Sequence, residues 1–372
     1  MKRYSVTHLT SAHPRYDTRI FLRECRSLSK VYDVNLIVAD GAGDEIKDGI
    51  VLYDVGKPHN RWERIFSTTK AVYQKAMSLE SDLYHFHDPE LIFVGLKLLR
   101  DGKKVIFDVH EDTASQIQDK YYIPKPLRLI LYFAYKQLNR YASGKFHLVL
   151  AEQSYVSIYQ SFTKDYKVIY NFPDVAYLSP YRIEKRSGNG IFYIGGVSDE
   201  RGLSITIEAL KILQQKGIDF FMHYIGPIYD SGSIERLPLE GIERNIKFYG
   251  PLILDKGFEI SKECKIGLSI LQPIKNYTTS YSTKIFEYMS VGLPVITSNF
   301  PLYKRIIESK NSGFCVDPYN AKELAEKIAY LFTHESVATQ MGSHGIKAVT
   351  SIYNWQEEEK KLLTYYKEIL DA

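Results

Sequence analysis

The chain has 372 residues, 45% hydrophobic and 25% charged, which is ordinary for a folded globular protein and excludes a disordered or fibrous chain. Lys+Arg 48 against Asp+Glu 44 gives a net charge of +4, too balanced for a dedicated nucleic-acid binder, although residues 1–170 carry +5 and residues 171–372 carry −1. The three cysteines, Cys25, Cys264 and Cys315, are far apart and odd in number, which speaks against a disulfide framework or a CxxC metal site and for a reducing compartment; with no apolar leader and no run of about 18 apolar residues, a cytoplasmic protein is expected.

Strand and helix signals alternate along the chain. Residues 4–9 read as a short strand, 19–29 as an amphipathic helix and 33–39 as a buried strand. The unit repeats with a strand at 83–86, a helix at 90–100 and a strand at 104–109; strands at 147–151 and 167–170 end this half. A segment rich in turn formers follows, from Asn171-Phe-Pro-Asp to Lys185-Arg-Ser-Gly-Asn-Gly. The pattern then restarts with strands at 191–194, 220–225, 246–249, 266–270 and 295–297 and helices at 203–215, 255–264 and 283–291. Helices at 321–332, 336–349 and 355–370 complete it. Short apolar runs separated by helices predict parallel sheets covered on both faces, in two α/β domains, 1–172 and 173–352, and a tail helix, 353–372.

In open parallel sheets ligands lie beyond the carboxyl ends of the strands, so the chemistry is sought in the residues just after them. The second half opens with Tyr193-Ile-Gly195-Gly196-Val-Ser-Asp-Glu-Arg201-Gly202, a strand running through a glycine pair to a helix with a basic residue near its start. Glycines let a phosphate approach the backbone, a helix N-terminus favours an anion, and a guanidinium chelates phosphate oxygens. A tight turn with an exposed arginine is the other reading of these residues. Further on, YSTKIFEYMSVGLPVITS (281–298) puts Ser282 or Thr283 at a helix N-cap and Lys284 and Glu287 three apart on one face. A cation in a first helical turn opposes the macrodipole. An anion there accounts for it, with Lys284 against a diphosphate and Glu287 accepting from ribose hydroxyls. A surface ion pair accounts for the spacing, but not for the helix-start lysine together with Gly292-Leu-Pro294.

The block KIFEYMSVGLPVI resembles the signature of family 4 of the retaining GT-B glycosyltransferases. The similarity extends to YIGGVSDERG, to Ser312-Gly313 and Val316-Asp-Pro, to Tyr353-Asn-Trp355, and in the first half to DLYHFHDPE (82–90) and FDVHE (107–111). The resemblance implies a GT-B fold, two Rossmann-like domains facing across a cleft, with a C-terminal helix able to cross back to the first domain. By position, Arg201 and Lys284 stand for the two basic residues that bind the donor diphosphate, Glu287 for the ribose-holding glutamate, and His110 for the histidine at the donor sugar. Thr279 stands where the family carries the first glutamate of its pair, and Gly196 where many members carry arginine. The expected catalytic residues are therefore His110, Arg201 and Lys284. The expected donor-binding residues are Gly195, Gly196, Arg201, Thr279, Ser282, Thr283, Lys284 and Glu287. The donor is expected to be a UDP-, GDP- or ADP-sugar, with no cofactor and no metal, the basic side chains replacing the cation.

In the first half, the loop after the first strand offers His13, Asp17 and Arg19 to acceptor hydroxyls; a solvated loop with Asp17 or Thr18 as N-cap is the other reading. Glu90 is expected to face the cleft. His85 and His87 alternate with Phe86 and share one strand face. With Asp88, Glu90, His110 and Glu111 they are metal-type side chains, but no HExxH or DxD arrangement appears, so no metal site is expected and Asp88 is read as a helix cap. Residues 121–145 hold Lys125, Arg128, Lys136, Arg140 and Lys145, six aromatic residues and no acidic one. Such a helix suits an anionic membrane surface; a core-packing helix with a solvated basic face is the other reading.

The expected activity is transfer of a hexose-type sugar from a nucleotide diphosphate sugar to a glycan or lipid-linked glycan acceptor with retention, as in bacterial surface polysaccharide assembly, on or near the inner face of the plasma membrane and without a nucleic-acid partner. A nucleotide-sugar epimerase of the same fold would turn over donor with no acceptor. A non-catalytic partner subunit would bind the nucleotide sugar without transferring it.

Overall fold

A computed structural model describes residues 3–110, 112–118, 123–229 and 237–372. The chain forms two compact units, Met1–Asn171 with Trp355–Ala372, and Phe172–Asn354.

The first unit is built on the strands β1 (Ser5–Leu9), β2 (Asp33–Val38), β3 (Glu45–Lys47), β4 (Ile50–Asp54), β5 (Leu83–Phe86), β6 (Lys104–Val109), β7 (His147–Leu150) and β8 (Tyr166–Val168), in the order β3-β4-β2-β1-β5-β6-β7-β8. All pairs are parallel except β3 with β4 at the edge. The central strands are buried along nearly their whole length, as strands covered on both faces must be. One face packs Leu9, Ile37, Phe86, Phe107 and Leu148 against Leu91 and Leu98. The other packs Val6, Leu36 and Ile106 against the last helix, Trp355–Asp371. That helix presents Trp355, Leu362, Tyr366 and Ile369 as a stripe at helical spacing, and Trp355 Nε1 donates to Ser27 Oγ at 2.8 Å. The short strands β3 and β4 and the helix Thr69–Leu79 were not foreseen from the sequence; β3 is a three-residue, solvent-facing edge strand with little apolar signal.

The second unit contains β9 (Gly190–Ile194), β10 (Phe221–Ile225), β11 (Ile246–Phe248), β12 (Cys264–Ser269), β13 (Val295–Ser298) and β14 (Gly313–Val316), all parallel, in the order β11-β10-β9-β12-β13-β14. This is the doubly wound order of dinucleotide-binding sheets, whose winding reverses between β9 and β12. The first unit reverses in the same way between β1 and β5. The helix Thr283–Ser290 lies close against β12 because residue 267 has no side chain: a β-carbon on Gly267 would stand 2.5 Å from the Tyr288 ring. Tyr288 then ties this helix to both central strands, accepting from Ile194 N at 3.1 Å and donating to the Leu268 carbonyl at 3.2 Å. The helix Pro301–Ile307 and strand β14 were also not foreseen.

Candidate active site

In the second unit the loops leaving β9 and β12 lie at the point where the sheet reverses. Arg201 ends the tight turn Asp199–Arg201. Gly202 follows with φ 82°, and a β-carbon there would stand 2.5 Å from the Ile270 carbonyl oxygen, so the chain turns against the β12 exit only with glycine. The Arg201 guanidinium lies 5.8 Å from the Tyr229 ring centre and 5.9 Å from that of Tyr277. Lys284, in the first turn of Thr283–Ser290, is buried, with Nζ 4.0 Å over the Tyr193 ring and no hydrogen-bond partner. The two cations converge: a β-carbon built on Gly195 would stand 3.0 Å from Lys284 Nζ and 4.0 Å from Arg201 Nη1.

The electrostatics of this arrangement call for an anion. Burial, reinforced by the neighbouring Arg201 charge and opposed by Glu287, brings the Lys284 ammonium down to about 7. Ser282 occupies the N-cap position but makes no side-chain capping bond; its hydroxyl lies 3.3 Å from Ser269 Oγ. Ile285 N turns back to the Ser282 carbonyl at 3.1 Å, and the earlier amides of the helix have no side-chain cap from Ser282. Glu287 is half-buried one turn beyond Lys284, and Thr279 is exposed in the loop from β12 to this helix. Gly196 has a local cause: a β-carbon there would meet the Tyr229 ring at 2.1 Å, so an arginine requires Tyr229 to swing away. The sequence reading missed Tyr193, Tyr229 and Tyr277. The only signal for them was the abundance of tyrosine, 30 residues, which singles out none.

In the first unit the loops after β1, β5 and β6 meet around two carboxylates. Asp88 is buried and accepts from Ser11 N at 2.5 Å, Thr10 Oγ1 at 2.8 Å and Ala12 N at 3.2 Å, with His13 Nδ1 at 2.8 Å. Burial works to raise its pKa, but the hydrogen bonds from His13, Ser11 and Thr10 outweigh it and hold the carboxyl well below the usual range. Asp88 therefore fastens the β1 loop with its side chain and, contrary to the expectation from the sequence, does not cap the following helix with it. Glu90 lies beside it, 3.2 Å from Ser11 Oγ and 2.9 Å from Arg64 Nε.

Asp108, on β6, is the second carboxylate, and the sequence reading gave it no role. It accepts two 2.8 Å bonds from Arg19 and one of 3.0 Å from His87 Nδ1, and lies 3.4 Å from His110 Nδ1. Arg19 is buried in this ion pair, with Glu24 also 3.2 Å away, and is no acceptor-side group. Asp17 serves as a cap, accepting from Arg19 N at 2.8 Å and Ile20 N at 2.9 Å. His13 and His110, by contrast, are brought together with ring centres 5.0 Å apart. Tyr155 Oη donates to the His110 carbonyl at 3.3 Å, and a cavity of about 530 Å³ lined by Val109, Thr113, Tyr135, Asn139, Tyr155 and Tyr159 opens beside it. Of the metal-type side chains, His85 and His87 gather with His8 and Glu24, and His87 and Asp108 with His110. Glu111 lies outside the described residues.

Residues 183–348 match the sequence family described as Glycosyl transferases group 1. The chain is 25% identical over 182 residues to the capsular polysaccharide biosynthesis glycosyltransferase CapM of Staphylococcus aureus, which covers 48% of this chain and 47% of that protein. It is 22% identical over 188 residues to the spore coat protein SA of Bacillus subtilis, 48% of each. The chain thus spans about half the length of these curated relatives. The structure of HepE from Anabaena in complex with UDP and glucose superposes with a TM-score of 0.71 at 16% identity, covering 98% of this chain and 100% of that one. This likeness shows the fold: the two Rossmann-like units are those of the GT-B class, as the sequence resemblance implied. The family match, residues 183–348, falls within the second unit.

Proposed function

We propose that the protein is a glycosyltransferase that moves a hexose-type sugar from a nucleoside diphosphate sugar to a glycan or lipid-linked glycan acceptor, with retention of configuration. The observation that carries this reading is the convergence of Arg201 and Lys284 on Gly195 at the sheet reversal of the second unit. Departure of the leaving group builds negative charge on the β-phosphate. Arg201, Lys284 and the open amides of Thr283–Ser290 stabilise that charge without a divalent cation. Glu287 holds the ribose. His110, backed by Asp108, hydrogen-bonds and orients the donor sugar without acting as a base. A double displacement needs a carboxylate at the anomeric carbon, and Thr279 supplies none; front-side attack, in which the leaving phosphate takes the acceptor proton, is the mechanism these residues support. HepE is named with UDP and glucose, and CapM for capsular polysaccharide biosynthesis, which supports UDP-glucose as the first donor to test and a polysaccharide role. The test is incubation with UDP-, GDP- and ADP-sugars and lipid-linked acceptors without added Mg2+ or Mn2+, and NMR of the product anomer. Retained configuration is expected. Inversion contradicts the mechanism, donor turnover without acceptor indicates an epimerase, and binding without transfer indicates a non-catalytic subunit.

The helix Lys125–Ser143 supports an acceptor carried on an anionic membrane. Leu127, Ile130 and Phe133 are 48%, 64% and 58% exposed, beside exposed Lys125, Lys136 and Arg140. An apolar ridge flanked by lysine and arginine seats in the headgroup layer, whereas a core-packing helix would bury those positions. Among the described residues no helix is long and apolar enough to cross a membrane. Flotation with phosphatidylglycerol vesicles is expected to carry the protein, and Ile130→Glu/Phe133→Glu to abolish this; flotation of the variant equal to the native chain contradicts it.

A further inference from the structure

We propose that the first unit holds a divalent transition-metal ion of the zinc type at a buried site formed by His8, Glu24, His85 and His87. His8 and His85 are register partners on the adjacent strands β1 and β5, so their side chains leave the same face of the sheet, and His87 follows two residues later with the same orientation. Glu24 reaches this face from the widened helical turn Ile20–Cys25. There the amides of Leu22 and Glu24 bond five residues back, to Asp17 at 3.1 Å and Arg19 at 2.9 Å; such widened turns recur at functional sites.

The donor atoms face one another. Glu24 Oε2 lies 3.9 Å from His8 Nδ1, 3.8 Å from His85 Nδ1 and 4.0 Å from His87 Nε2, and His8 Nδ1 lies 2.9 Å from His87 Nε2. Tetrahedral zinc with bonds of about 2.0–2.1 Å requires donors roughly 3.3 Å apart. All four donor atoms lie within 4.8 Å of one another, so an ion would draw them together from these spacings to complete the shell. His87 Nδ1 donates to Asp108, the carboxylate–histidine arrangement found behind metal-bound imidazoles, so its Nε2 accepts from His8 Nδ1 here, and an ion would replace the proton that the two rings share. Tyr366 of the last helix closes the site: it lies 3.2 Å from His8 Nε2, where it can stay as an outer partner, and 2.7 Å from His85 Nδ1, a bond that an ion on that nitrogen would displace.

A ligand is called for by what the protein leaves unmet. Glu24 is fully buried, and neither of its oxygens has a hydrogen-bond partner. Arg19 lies 3.2 Å from it but is engaged with Asp108 through two 2.8 Å bonds, and Arg23 contributes a second, more distant positive charge. A buried, ionised carboxylate without hydrogen bonds is unfavourable, and a cation bound there would compensate it. Three imidazoles and one carboxylate with no open position make a closed, structural zinc set. The ion would clamp β1, β5 and the widened turn beneath the last helix, and so stabilise the first unit.

The test uses the untagged full chain. After zinc loading and gel filtration, elemental analysis is expected to give about one equivalent. Anomalous diffraction at the zinc edge is expected to place it among these four residues, and chelation to lower the thermal midpoint, with recovery on zinc addition. Glu24→Gln and His85→Gln are expected to weaken binding at least 100-fold. Should the variants fail to fold, the absorption bands of a cobalt-substituted native chain report the tetrahedral geometry. A native chain holding less than a tenth of an equivalent, an anomalous peak elsewhere, or full zinc content in folded variants overturns the proposal.

Discussion

The Lys284 ammonium and the Arg201 guanidinium share a target in the second unit: the backbone of Gly195, whose φ of 128° and missing side chain leave room between them. Gly195→Ala places a methyl 3.0 Å from Lys284 Nζ in a backbone region that alanine rarely adopts. The expected result is a loss of nucleotide affinity of about tenfold or more, with a stability cost of roughly 1–3 kcal/mol. Calorimetric titration and urea unfolding measure the two.

Lys284 should betray its role through protons. Its pKa falls from 10.5 to about 7 on folding. Between those values the unfolded chain binds the proton and the folded chain does not, so this group makes stability rise with pH across that window. Lys284→Met is expected to remove that part of the slope. A bound diphosphate restores the charge, so titrations at pH 8 in buffers of different ionisation enthalpy are expected to show uptake of up to about one proton per ligand.

Arg19 and His13 lie on the same loop and are expected to fail differently. Arg19→Ala leaves Asp108 buried without its bidentate cation and is expected to cost about 3–5 kcal/mol of stability. His13→Ala removes one partner of a part-exposed pair with Asp88, at about 1 kcal/mol, and is expected to act mainly on turnover, as is His110→Ala. Urea unfolding alongside transfer assays separates the two effects.

Leu362 is fully buried where the last helix meets the first sheet. Leu362→Ala is expected to cost about 2–5 kcal/mol, and deletion of residues 355–372 to unfold the first unit. Circular dichroism and thermal melting check both.

Both sheets were legible because their central strands are near-continuous apolar runs, as in VIFDV and IFYI, and the helix Leu203–Gln215 was read to its ends. The three-residue strand β3 and the four-residue β14 carry too short a pattern to stand out. The donor-side cations were legible because a lysine in a first helical turn violates a local rule. The polar cluster of the first unit was not: His8 and Asp108 are single polar letters within apolar strands and Glu24 one within a helical turn, and only strand register and the packing of that turn bring them together. Arg19 looked like a binding residue for the same reason, since its partner lies 89 positions away.

The central claim is that Arg201 and Lys284 grip a diphosphate. Calorimetric titration of UDP, GDP, ADP and their sugars into the native chain, Arg201→Met and Lys284→Met tests it most directly. One nucleotide series is expected to bind the native chain and to lose about 100-fold or more in each variant, as befits a charge-assisted contact in a buried site. Equal affinity in all three folded proteins, or no binding by the native chain, would contradict it.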